Sequence, residues 1–460
     1  MHELLEVLGA RNRAGLDVDA LIEVAQQAER DPVGVGRRLA ALSSSEVDLD
    51  DAAAGALGAR RGKLLAKAGT DPKAVADELR REREASHRGV ALPPDFSFPG
   101  YSPGLLPIDV RSVQFQQHED WLGYAVLGGL PYHLNLMRLR RTVGPHNAGA
   151  HSFPLRREPS PGEPVTVALF GDFANGLYMP RYIARHMRRQ RPDLAVHLGD
   201  VYYGGTDQEF EDYLYEPLAP MHSSTELYVL AGNHDLYSGD ENFRTYLQKK
   251  MASAPGVQRQ TSESFRIVGE RYQIIGLDTQ FGRDGRVTPE QVQLARRWLK
   301  EGRPGRTNIL LTSAHGWSVT AKKKKDPKAH LSKLAAKDLA PLWADDLVDL
   351  WFWGNVHHGA LYAPSATTPY VASCVGHSGF PYYRVDDPAD APFQARWVET
   401  EGRFGALDLR RDVGNNGWCL LRLHHDGTVG LEYRDWMDRV RHVDAVRRTP
   451  TGMKFVPVPG

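Results

Sequence analysis

The nine residues from Leu227 to Asp235, Leu-Tyr-Val-Leu-Ala-Gly-Asn-His-Asp, constrain this chain more than any other stretch. A short apolar run with β-branched and aromatic content, stopped by Gly232 and followed by an amide, an imidazole and a carboxylate, reads as a buried strand delivering polar groups at its carboxyl end. Three such side chains in a row are costly to desolvate. Either they bond one another and water, or they face a cation and its substrate. The construction recurs. Val165–Phe170 runs into Gly171-Asp172 and Leu194–Leu198 into Gly199-Asp200; downstream, Ile309–Ala314 meets His315 and Val348–Trp353 meets Gly354-Asn-Val-His357. Five strands ending in a glycine plus ligand, or in a bare histidine, point to one site at the carboxyl edge of a sheet.

A chain of 460 residues exceeds the roughly 250–300 at which single cores stop growing, so at least two domains are expected. The formal net charge of +0 recommends neither nucleic acid nor an anionic membrane as a partner. Two cysteines, Cys374 and Cys419, are too few for a disulfide framework and read as small apolar residues on core strands. Met1-His-Glu-Leu-Leu-Glu is no signal-peptide pattern, and no apolar run approaches the ~20 residues that cross a bilayer. The expected location is the cytoplasm.

Residues 1–88 read as a helical region, with Asp31-Pro32 and Asp71-Pro72 each restarting a helix. Two weak copies fall short of a solenoid, so this region reads as a small bundle or an arm for a protein partner. Residues 89–163 lose periodicity and gain Pro, Gly and aromatics, as a connector does, with one helical island over Gln116–Leu127. His118 and Arg138–Arg141 there read as solvated surface, with a phosphate contact as the alternative. The main domain is expected over 164–440, followed by a polar tail over 441–460. Within it, 180–189 and 289–300 read as helices, 206–220 as helical, and Trp418–Leu423 with Thr428–Tyr433 as a hairpin across Asp426-Gly427. The lysine run Lys322–Lys325 is either a solvated loop or a flap that attracts an anion.

Two metal ions a few ångströms apart need a carboxylate between them, further anionic or imidazole ligands on each side, and open positions for water and substrate. Asp172, Asp200, Asn233, His315 and His357 supply such a set, with Asp200 as the natural bridge. Taken singly they are weak: Asp172 alone would cap a helix, and His315 alone would be a satisfied core histidine.

In order and spacing, Gly171-Asp172, Gly199-Asp200-Val-Tyr-Tyr203, Gly232-Asn-His-Asp235, His315 and Gly354-Asn-Val-His357 resemble the five motifs of the calcineurin-like metallophosphoesterases. The resemblance covers residues 164–436 and implies a four-layer α/β/β/α sandwich of two mixed sheets. It also implies a two-metal site of divalent or mixed-valence Fe, Mn or Zn. The implied reaction is hydrolysis of a phosphate mono- or diester by in-line attack of a metal-bound hydroxide, with His234 serving the leaving group and Asp235 orienting it.

Two positions depart from the pattern. Most of the family carries a histidine where this chain has Ala174. The purple acid phosphatase branch also lacks it, and carries instead a tyrosine three positions after the bridging aspartate, where Tyr203 stands here. The resemblance to that branch implies Tyr203 as a ligand of the first ion with Asp172, Asp200 and His357, a ferric ion being favoured; otherwise it is a neutral pocket-wall phenol. Asn355 replaces the first histidine of the fifth motif, leaving Asp200, Asn233, His315 and Asn355 around the second ion. That set is rich in oxygen and binds more weakly. His358 is a lesser substitute, because adjacent residues point apart. Trp317, Tyr202 and His377 are candidate pocket walls. The rival reading is a scaffold or binding protein on the same fold with a degraded metal site.

Overall fold

Val165, Val167 and Leu169 alternate with Thr166, Ala168 and Phe170, the period-2 pattern of a strand, and in the computed structural model both faces of that strand are largely covered. The structure describes Val90–Ala91, Pro107–Ile108 and, with short interruptions, residues 151–459, the longest interruptions being 248–259, 319–329, 385–392 and 403–413. The helical reading of 1–88, the Gln116–Leu127 island, His118, Arg138–Arg141, Lys322–Lys325 and Tyr203 lie outside the described residues.

The chain divides into two compact units, 1–142 with 203–209 and 143–202 with 210–460. In the first, β1 (Val90–Ala91) pairs antiparallel with β2 (Pro107–Ile108). The second unit holds two mixed sheets.

One sheet contains β4 (Val165–Phe170), β5 (Leu194–His197) and β6 (Glu226–Val229), which run parallel side by side. An antiparallel meander extends it beyond β4: β14 (Gly417–Leu423), β15 (Thr428–Asp435), β16 (Val440–Thr449) and β17 (Gly452–Val456). The Asp426-Gly427 turn closes the β14–β15 hairpin, and Gly427 takes φ 86°. The other sheet has the order β13 (Ala395–Val398), β11 (Gly359–Tyr362), β12 (Val371–Val375), β10 (Leu350–Trp353), β9 (Thr307–Thr312), β8 (Tyr272–Leu277), β7 (Phe265–Val268), β3 (His151–Pro154). In it β8, β9, β10 and β12 are parallel.

The inner faces of both sheets share one core. Val167, Leu169 and Val196 come from the first sheet, and Ile274, Leu311 and Phe352 from the second. Helix α1 (Tyr178–Gln190) covers the outer side of the first sheet, where Tyr182 meets Trp436 edge-on at 5.6 Å. Helix α2 (Pro289–Gly302) covers the second through Ala295, Trp298 and Leu299, packed with Leu277, Leu310 and Trp351. Its start is fixed by a capping box between Thr288 and Gln291 with Pro289 at the first turn, a device worth about 1 kcal/mol. The result is the four-layer α/β/β/α order. Cys374 and Cys419 are free and buried on β12 and β14.

Three boundaries differ from the sequence reading. Residues expected as a C-terminal tail form all of β16 except Val440, and all of β17. Only three consecutive positions of β16, Asp444, Ala445 and Val446, are buried, and the surrounding charges hide the strand pattern. The connector expected over 89–163 contains β3, parallel to β7 at the edge of the second sheet. Finally, the five ligand-bearing strands belong to two sheets, β4, β5 and β6 to one and β9 and β10 to the other. Polar turns therefore meet where the carboxyl ends of both sheets come together.

Candidate metal centre

Three of the turns that follow these strands take left-handed backbone at a polar residue. Six non-glycine residues among those described have left-handed backbone, and three of them are Asp172 (φ 55°), Asp200 (φ 75°) and Asn355 (φ 62°). That conformation costs a residue with a Cβ roughly 1–2 kcal/mol, least for Asp and Asn. Its recurrence at three turns of one region is strain of the kind that functional sites retain. Gly199 precedes Asp200 at φ 104°. A Cβ on Gly232 would overlap the backbone nitrogen and carboxylate of Asp200, so the β6 turn needs glycine for close approach.

Asp172 is fully buried and stands at the middle. Its Oδ1 accepts from the hydroxyl of Tyr202 at 2.6 Å and lies 3.2 Å from Nε2 of His357. The Tyr202 hydroxyl is 3.0 Å from the same Nε2. The backbone N–H of Asn355 donates to Asp172 Oδ2 at 2.8 Å, and the Asn355 side-chain amide reaches Nδ1 of His315 at 3.1 Å. Asp200 Oδ1 accepts the backbone N–H of His234 at 2.9 Å. The imidazole of His234 rests on the Tyr202 ring with centroids 4.3 Å apart. Contacts thus link His315, Asn355, Asp172, Tyr202 and His357, and Asp200 joins them through His234, whose ring lies on Tyr202. Asn233 stands half-buried between Gly232 and His234.

Asp235 serves the turns. Its oxygens accept the backbone N–H groups of Asp200 at 3.0 Å, Val201 at 2.9 Å and Gly232. Asp235 thereby ties the β5 turn to the β6 turn. The loop after β12 braces Asp172 from the other side: Ser378 N–H donates to Gly171 O at 3.1 Å and Phe380 N–H to Asp172 O at 2.9 Å.

Of the expected pocket walls, Trp317 is buried in the outer core against Trp353, at 4.7 Å, and Phe393, at 4.5 Å. His377 fills a slot where a Cβ on Gly359 or Gly417 would collide with it. His358 packs edge-on against Tyr382 at 4.9 Å. The Tyr202 hydroxyl belongs to the central cluster. Sequence reasoning missed this, and the signal available was the loss of a histidine at Ala174, whose carbonyl accepts the backbone N–H of Tyr202.

Electrostatics separate the three carboxylates. Burial opposes ionisation of Asp172, yet the hydrogen bond and charge of His357 and the Tyr202 hydroxyl hold its carboxyl below the ordinary value. Asp200 is pushed well above that value, first by burial and then by the charges of Asp172 and Asp235. Burial raises Asp235 to about 7, against the three backbone N–H groups that favour its anion. Crowded acids of this kind suit a cation.

The donor geometry suits one as well. Oxygen and nitrogen donors about 2.0–2.2 Å from a shared ion lie about 2.8–3.6 Å apart. Of the three edges among Asp172 Oδ1, Tyr202 and His357, those of 3.0 and 3.2 Å fall in that range, while the third, 2.6 Å, is closed by a hydrogen bond. Among the described residues no three His, Cys, Asp or Glu side chains gather so as to hold an ion. The third polar group of the triangle is the Tyr202 hydroxyl.

Residues 165–359 match the model of the calcineurin-like phosphoesterase family. No curated protein matches the chain. Similar solved structures include GAP50, titled the anchor in the inner membrane complex of Plasmodium, at 12% identity over 61% of this chain and 87% of that one, with a TM-score of 0.44. Another is purple acid phosphatase PPD1 from yellow lupin (Lupinus luteus) seeds, at 16% identity over 62% of this chain, with a TM-score of 0.42; the match spans 54% of the lupin chain. Over residues 165–359 the chain is therefore similar to the calcineurin-like phosphoesterases.

Proposed function

We propose that this chain hydrolyses a phosphate mono- or diester at a two-cation centre built on Asp172 and Asp200. The observation that carries the reading is the cluster of Asp172, Tyr202 and His357 at the meeting of two sheets' strand ends, inside the stretch that matches the phosphoesterase family. On this reading Asp172, Asp200 and His357 hold the first ion, and Asp200, Asn233, His315 and Asn355 the second. Bound Fe, Mn or Zn ions would acidify the attacking water and neutralise charge on the phosphoryl oxygens.

The chain's own residues do the rest. His234, buried and seated on the Tyr202 ring, holds a proton for the leaving-group oxygen. Its backbone N–H fixes Asp200, so the proton donor and the bridging carboxylate move as one piece. Asp235 and the loop of Ser378 and Phe380 keep the turns in place, so that orientation is settled before substrate arrives.

The test is hydrolysis of an aryl phosphate and of its bis-ester by the full chain loaded in turn with Mn, Fe and Zn. Turnover of either ester that chelator abolishes and metal restores supports the reading. Absence of bound metal and of turnover with every loading overturns it. The scaffold reading would then stand; it draws on Ala174 and on the engagement of the Asn355 amide with His315.

A further inference from the structure

Strands β4 and β14 pair antiparallel as far as Leu169 opposite Cys419; carried on, the register would set Gly171 opposite Gly417 and Asp172 opposite Asn416. Instead, segment 377–380 stands between the two chains and bonds to both. We infer that this wedge, anchored by Asn416 and ending in Phe380, holds Asp172 and His357 in place as a pair for the first cation, with Asn416 and Phe380 as positioning residues. The inference rests on the cation-site reading above and names residues outside the ligand set that act on it.

On the β4 side, Ser378 N–H donates to Gly171 O at 3.1 Å, Gly171 N–H donates to Ser378 Oγ at 3.2 Å, and Phe380 N–H donates to Asp172 O at 2.9 Å. On the β14 side, Gly417 N–H donates to His377 O at 2.9 Å, and Asn416 Nδ2 donates to His377 O at 2.9 Å and to Phe380 O at 3.1 Å. The wedge thus supplies, on each side, the bonds that direct pairing of β4 with β14 would have made. The fit is close. A Cβ on Gly376 would lie 2.2 Å from Val356 O and 2.7 Å from Asp172 Oδ2, and one on Gly379 would lie 2.5 Å from Phe173 O. Ser378, Phe380 and Asn416 are all buried.

Phe380 reaches the aspartate and the imidazole at once. Its backbone N–H holds the main chain of Asp172, while its ring packs on that of His357 with centroids 4.4 Å apart and on that of Tyr202 at 4.4 Å. Orientation of ligands by the groups behind them is worth about 10–100-fold in cation affinity. Asn416 acts through its donors alone, because its Oδ1 is buried without a hydrogen-bond partner among the described residues. The two carbonyls it clasps are those at the start and the end of the wedge, so one amide fixes both ends.

Asn308 provides the comparison for a purely structural amide. It too is fully buried, and its Nδ2 clasps two carbonyls, Leu299 O at 3.0 Å and Leu347 O at 2.8 Å, at the amino end of β9 and so at the opposite end of that strand from His315. The experiment titrates manganese and zinc into the full chain, with denaturant melts on the same samples, for the native protein, Asn416→Ala, Phe380→Leu and Asn308→Ala. The tighter equivalent belongs to the Asp172 and His357 side, because Asn355 weakens the other. Asn416→Ala and Phe380→Leu should each loosen that tighter equivalent by about 10–100-fold and leave the weaker one unchanged. Asn308→Ala should melt earlier yet bind both as the native chain does. Ser378→Ala, which removes a single hydroxyl, is expected to loosen the tighter equivalent in the same sense, and it decides the matter should the larger changes not fold. Native-like binding in the wedge variants, or a loss shared by both equivalents and matched by Asn308→Ala, would overturn the assignment while leaving the cation site standing. A native chain that binds neither manganese nor zinc overturns the cation site itself, and the assignment with it.

Discussion

Oδ2 of Asp235 receives the backbone N–H of Asp200 at 3.0 Å, while Oδ1 receives that of Val201 at 2.9 Å and Gly232 adds a third bond. One buried carboxylate therefore satisfies three donors on two turns that must both present polar groups to the same point. Asp235→Asn keeps the size but turns one acceptor into a donor facing a backbone N–H. A buried donor left unsatisfied costs about 1–3 kcal/mol. The variant is expected to lose that much in denaturant-induced unfolding and to bind cations more weakly. A variant as stable as the native chain that has lost only turnover would assign Asp235 to orienting His234 instead of to bracing the turns.

His197 lies at the end of β5, with its ring 5.3 Å from that of Phe170 and 6.3 Å from that of Phe173, and its Nε2 has no hydrogen-bond partner among the described residues. Burial lowers its pKa to about 3, a little offset by the charge of Asp172. Between about 3 and the ordinary 6.5 the unfolded chain takes up a proton that the folded chain refuses, so stability falls as pH drops through that window. At pH 5 the loss is roughly 2 kcal/mol. His197→Leu removes the group. Measured by denaturant melts, it should gain about 2 kcal/mol relative to the native chain at pH 5 over its difference at pH 8. Equal differences at the two pH values would show that His197 does not contribute to acid sensitivity.

The strand ends were legible in the sequence because parallel strands buried on both faces read as uninterrupted apolar runs, and a glycine followed by a charged residue marks where each stops. Thus β4, β5, β6, β9 and β10 are all legible, each followed at once by one of the candidate residues. Their division between two sheets was not legible, since strand pairing depends on crossovers that one sequence does not encode locally. Strand β16 escaped because Arg447, Arg448 and His442 interrupt its apolar alternation; the structure seats Arg448 on Asp346 and Asp349, and pairs His442 with Asp444 at 2.9 Å. That the Tyr202 hydroxyl meets Asp172 was not legible either, since two adjacent tyrosines offer the same chemistry in the sequence.

Asn355 joins the two halves of the centre: its backbone N–H bonds Asp172 at 2.8 Å and its side-chain amide meets His315 at 3.1 Å. An amide tied to the imidazole competes with any ion for that imidazole, and amide oxygen is the weaker donor. The native chain should therefore bind one equivalent of Mn or Zn tightly and a second loosely in a metal titration. Asn355→His offers an imidazole at the same turn and is expected to tighten the second equivalent at least tenfold while leaving the first unchanged. Two equally tight equivalents in the native chain would remove the penalty ascribed to Asn355.

His234 touches the centre in two ways, through a backbone N–H on Asp200 at 2.9 Å and through a ring on Tyr202 at 4.3 Å. Only the second is lost in His234→Ala, because the backbone bond survives any side-chain change. Metal content should accordingly stay at the native level while turnover falls. Proton delivery to a leaving group contributes about 10²–10⁴-fold to rate, and it matters most when the departing oxygen is basic. The loss should be near the top of that range for an alkyl phosphate and far smaller for p-nitrophenyl phosphate, whose leaving group needs no proton. Rates for both esters, with bound metal determined on the same samples, check this. An equal loss on the two esters would place His234 on the phosphoryl oxygens, and a loss of metal would make its ring a support of the ion site instead of a proton donor.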